Sequence, residues 1–93
     1  MNIREKMRYI ADHYGYAEQS RQLVEEMAEL TVAINKKWRG KDEGIDNIVE
    51  EIADVEIMLE QIKYLLECDW EVFKAKMTKV NRQIERIKDE QPM

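Results

Sequence analysis

Residues that break helices are scarce in this chain, with three glycines and one proline among 93 residues. That scarcity excludes a sheet protein punctuated by tight turns and favours long helices. Cysteine is nearly absent. Cys68 stands alone, so no internal disulfide can form, no thiolate metal site is available, and a reducing cytoplasm is the expected location. Histidine occurs once, at His13, which excludes the paired Glu-x-x-His motifs of a di-iron carboxylate bundle. No apolar run approaches the ~20 residues of a membrane span, and the N-terminus has no signal-peptide core. Positive charge is in the minority. Fifteen Lys and Arg face twenty Asp and Glu, and a net charge of −5 argues against a nucleic-acid partner, whose phosphates need a basic face.

What is present in quantity is charge, at 38% of the chain, laid over a helical apolar rhythm. The chain is read as one domain, 1–93, too small to bury a large core alone, so a homodimer or homotetramer is expected. A short first helix is predicted over 3–13, stopping near Gly15 in a left-handed cap. A second runs from Ala17 to Trp38. Residues 39–46 (RGKDEGID) read as a loop, with Gly40 ending one helix and Asp46 capping the next. The third helix spans Asn47 to Leu66, and Asp69 caps a fourth that runs to Lys88, short of Pro92.

At about 100° per residue, Tyr16, Leu23, Met27, Leu30, Ile34 and Trp38 form one stripe. Ile48, Ile52, Val55, Leu59, Ile62 and Leu66 form another, and these two stripes are the expected core. The short loop implies an all-α fold built on an antiparallel helical hairpin with flanking helices. A weaker strip on each helix back (Val24, Ala28 and Val32; Val49, Ala53 and Ile57) suits a subunit interface that completes a four-helix bundle.

Two acidic motifs interrupt these apolar runs. LVEEMAEL spans 23–30 and VEEIADVEIM spans 49–58. Glu26 and Glu29 lie on one flank of the first stripe, and Glu51 and Asp54 on the corresponding flank of the second. In an antiparallel pair they reach similar heights. Four carboxylates converging at the edge of a core repel one another unless protons or cations intervene. An oxygen-only set suits Mg²⁺, or Mn²⁺, better than zinc. The plainer alternative is that these acids form surface pairs with Lys36, Lys37 or Lys63.

Glu26-Met-Ala-Glu29 and Glu51-Ile-Ala-Asp54, with twenty-one residues between, resemble the ExxE…ExxD signature of the MazG-like nucleotide pyrophosphohydrolases. The neighbouring QLVEEMAEL, KKWRG and NIVEEIADVEIML are similar to small phage or bacterial members, and the resemblance covers Gln19 to Ile62 best. It implies an all-α fold in which Glu26, Glu29, Glu51 and Asp54 bind Mg²⁺. It also implies hydrolysis of a nucleoside triphosphate, NTP or dNTP, between the α and β phosphates. Either Glu26 or Glu29 accepts the proton of the attacking water. Substrate contacts are expected from Gln22, Met58, Lys76, Lys79, Asn81 and Arg82. In KMTKVN, Asn81 stands one residue later than in the family's K-M-x-x-N pattern. The apolar stripe of this last helix is Trp70, Phe73, Met77, Val80, Ile84 and Ile87.

Two rivals carry different predictions. Phosphoribosyl-ATP pyrophosphohydrolases are similarly small and helical with related acidic motifs, and differ in substrate. A helical interaction or antitoxin-like module, whose acids are surface charge only, predicts no response to metal.

Overall fold

The computed structural model describes residues 1–40 and 46–91. All regular structure among them is helical: α1 (Ile3–Trp38), α2 (Asp46–Leu65) and α3 (Asp69–Glu90). No helix is long and apolar enough to cross a membrane among the described residues. Loop residues 41–45 and Pro92, for which expectations exist, lie outside the described residues, as does the side chain of the expected cap Asp46.

α1 starts at a cap that the apolar rhythm does not reveal. The Asn2 side chain accepts a hydrogen bond from the Glu5 amide at 2.8 Å, and Glu5 places its charge in the first turn. The break foreseen at Gly15 is real but takes another form. Gly15 has φ 85° and ψ 170°, outside the left-handed helical region, so the chain kinks there and continues as helix at once. Only glycine adopts such angles without strain. At the far end Gly40, at φ 67°, donates its amide to the Lys37 carbonyl and closes the helix as expected.

The turn between α2 and α3 is a Schellman motif. The Cys68 amide donates to the Lys63 carbonyl and the Glu67 amide to the Tyr64 carbonyl. Glu67 occupies the left-handed position at φ 53°, where glycine is the usual residue. The N-cap of α3 is therefore Cys68, whose side chain makes no capping bond, and Asp69 lies inside the first turn instead of capping it.

α1 packs along α2, and their contacts run in opposite order. The Tyr64 hydroxyl donates to the Asp12 carboxylate, 2.9 Å from both oxygens. This hydrogen bond, with desolvation adding, raises the Tyr64 phenol above its ordinary value. Further along, the Gln19 Nε2 donates to the Gln61 Oε1 in a buried amide pair. Ala11, Ala33, Val55 and Met58 are the buried apolar side chains among the described residues.

The buried line therefore falls on one edge of the two expected stripes. Val55 is buried; Leu23, Leu30, Ile48 and Ile62 are half-buried; Tyr16, Met27, Ile34, Trp38, Ile52, Leu59 and Leu66 stay exposed. Two cylinders touch along one line, so a stripe about 80° wide cannot be covered by a single neighbour. Among the described residues α3 meets α2 only, and it has no buried residue.

Candidate metal centre

Gln19, Glu26 and Ala33 are spaced by seven residues, which places them in one row down α1 after the Gly15 kink, and Asp12 lies before that kink. This row faces α2. Asp12 meets Tyr64, Gln19 meets Gln61, and Glu26 meets Glu51 and Asp54. The first two polar pairs satisfy each other by hydrogen bonding. The third brings together three groups of one sign.

One carboxylate oxygen from each of Glu26, Glu51 and Asp54 lies within 4.8 Å of the other two. Gln22, one turn before Glu26, donates its Nε2 to Glu26 Oε1 at 2.7 Å. The remaining oxygens of the two half-buried acids, Glu26 Oε2 and Glu51 Oε2, are shielded from solvent and have no hydrogen-bond partner. A buried charged oxygen without a partner is costly, by more than the ~1–3 kcal/mol of a neutral polar group. Two of them beside a third carboxylate make a set that could hold a cation. The donor set of carboxylate oxygens alone is that of a hard cation.

Glu29 stands outside this triplet. It is exposed and lines an adjacent hollow with Ala28, Val32, Ala33, Lys36, Asn47 and Glu51. Glu51 thus joins the triplet to the hollow. Asn47 and Lys36 were not anticipated as site residues. Their signal is register: Asn47 precedes Glu51 by one helical turn, and Lys36 follows Glu29 by two. Of the alternative surface pairs, Lys63 does pair, but with Glu60 at 2.7 Å and not with a motif acid.

The other expected substrate contacts are not brought to the carboxylates within one chain. Met58 is only 7% exposed and belongs to the core beside Val55. Lys76 lines a separate groove with Glu56, Leu59, Glu60 and Val72. Lys79, Asn81 and Arg82 are exposed on α3, which makes no contact with α1 among the described residues. No protein family, no protein of curated function and no solved structure matches the chain.

Proposed function

We propose that the chain is a Mg²⁺-dependent nucleoside triphosphate pyrophosphohydrolase of the MazG-like kind. It cleaves an NTP or dNTP between the α and β phosphates to a monophosphate and pyrophosphate, in the cytoplasm. One observation carries the reading: two shielded carboxylate oxygens, Glu26 Oε2 and Glu51 Oε2, have no partner beside Asp54. Glu26, Glu51 and Asp54 would hold Mg²⁺, and Mn²⁺ could replace it. When bound, the ion supplies positive charge for the phosphate oxygens and a water of lowered pKa.

The chain's own residues do the rest. Gln22 fixes the Glu26 side chain through Oε1 and leaves Oε2 turned inward. Glu29, free of the triplet and at the rim of the hollow shared with Glu51, is the better placed of the two candidate bases. Lys36 and Asn47 line that hollow and offer donors to an anionic substrate. The finer architecture belongs to the same proposal. α1 and α2 form an antiparallel hairpin, and a second copy completes a four-helix bundle or a larger assembly. The strips Val24, Ala28 and Val32 of α1 and Ala53 and Ile57 of α2 support it, because all five are exposed in the single chain.

The deciding experiment is incubation with a panel of NTPs, dNTPs and phosphoribosyl-ATP, with Mg²⁺ and with EDTA, resolving the products. Pyrophosphate and a monophosphate are expected from at least one nucleoside triphosphate with Mg²⁺ only. Orthophosphate as sole product would reject the bond assignment, and turnover of phosphoribosyl-ATP alone would transfer the chain to the rival hydrolase. No turnover of any compound would reject the enzyme.

A further inference from the structure

Of the three acids in the triplet, Glu26 already has one oxygen engaged. Its Oε1 accepts the Gln22 amide at 2.7 Å, while its Oε2 is shielded and has no partner. Gln22 and Glu26 stand four residues apart on α1, the spacing at which a glutamine and a carboxylate meet on one helix face. The acceptor is charged, so the bond is stronger than one between two amides. The motif leads one to expect Gln22 at the substrate, yet its donor is engaged by a candidate metal ligand.

A carboxylate held this way offers a cation one oxygen where it could offer two. Each of Glu26, Glu51 and Asp54 brings one oxygen within 4.8 Å of the other two. Three single oxygens leave the rest of an ion's shell to water or phosphate. Divalent cations differ in how they accept that. Mg²⁺ demands near-ideal octahedral geometry, keeps several waters and needs only one or two carboxylates. Ca²⁺ takes roughly six to eight oxygens and binds a carboxylate through one or both of its own. Ligand number and flexibility therefore decide between the two ions. An oxygen withdrawn from the site counts against Ca²⁺ and hardly against Mg²⁺. The donor that withdraws it also fixes the orientation of the oxygen that remains, as partners of metal ligands do.

We infer that Gln22 is a positioning residue that sets the ion preference of the triplet. By occupying Glu26 Oε1 it holds Glu26 to one ligand oxygen, which favours Mg²⁺ and disfavours Ca²⁺. The inference rests on the Mg²⁺ site proposed above and adds a determinant of selectivity to it.

Thermal unfolding of the full chain over a series of MgCl₂ and of CaCl₂ concentrations, without nucleotide, gives an apparent affinity for each ion. Gln22 is exposed, so Gln22→Leu removes the donor without removing buried packing. In that variant the ratio of Ca²⁺ to Mg²⁺ affinity rises at least about fivefold, just under the roughly 10–100-fold that such partners are worth. Gln22→Lys returns a donor to Oε1 and adds a positive charge. It lowers both affinities together and keeps the wild-type ratio. A ratio unmoved in Gln22→Leu overturns the inference while leaving the metal site in place, and it would mark the bond as structural only. A Gln22→Lys ratio equal to that of Gln22→Leu overturns it too, because the donor would then not be what matters. If neither ion raises the melting temperature of the wild type, the metal site itself falls and the inference with it.

Discussion

Asp12, Gln19 and Glu26 all meet α2 and have three different chemical outcomes. Gln19 and Gln61 satisfy each other, so truncating either leaves a buried amide alone. Gln61→Leu is expected to cost about 1–3 kcal/mol in urea unfolding, while the double change Gln19→Leu with Gln61→Leu recovers most of that loss. Equal losses from the single and the double variant would show that the amides do not depend on each other. Glu26 Oε2 and Glu51 Oε2 have no such partner, and the test of these acids is electrostatic. Glu51→Gln removes one of three like charges while preserving shape, so without metal it melts at or above the wild-type temperature. With Mg²⁺ the order reverses, because the ion stabilises only the protein that keeps its ligands. The variant also loses most pyrophosphate release. An equal Mg²⁺ shift in both proteins, or in neither, would remove the carboxylate triplet as the metal site.

Among the elements, the ends of the helices hold the clearest departures from habit. The turn after α2 makes both bonds of a Schellman motif, yet fills its left-handed position with Glu67. An L-residue in that conformation is strained by about 1 kcal/mol or more, a cost glycine avoids. Glu67→Gly is therefore expected to raise stability by up to about 1 kcal/mol, read from the urea midpoint at constant slope. A loss of stability would mean that the Glu67 side chain contributes more than its backbone costs. Gly15 is the opposite case. There the residue suits the angles, and its kink lets the first turns of α1 carry Asp12 to Tyr64 before the row continues through Gln19 and Glu26.

For the whole molecule, a chain with this much open apolar surface should draw stability from association. Folding linked to assembly makes the melting temperature depend on protein concentration. The expected result is a melting temperature that rises steadily over about a hundredfold increase in concentration. A constant value would describe a chain stable by itself. The acid-rich α2 and the base-rich middle of α3 add a second expectation in the same experiment. Raising ionic strength lowers the melting temperature only slightly, since exposed ion pairs contribute ~0–1 kcal/mol and are screened.

Local rhythm and spacing were enough to read the all-α class, the interruptions at Gly15 and Gly40, the ends of the helices to within a residue or two, and the flank that carries Glu26, Glu51 and Asp54. Each depends on residues close in sequence: helical period, the angles open to glycine, and the offset between motif acids. The tertiary structure decided which edge of each stripe is buried. That choice depends on what the facing helix offers, and here α2 offers Gln61, Tyr64 and Glu51 to a row that pattern alone reads as flank. It also separated Glu29 from the triplet, enclosed Met58 and held Lys79, Asn81 and Arg82 away from α1. Periodicity finds a face but cannot say who meets it. Contact between helices distant in sequence is settled by which polar groups find partners and which apolar rows are covered, and the apolar row of α3 stays exposed in the single chain.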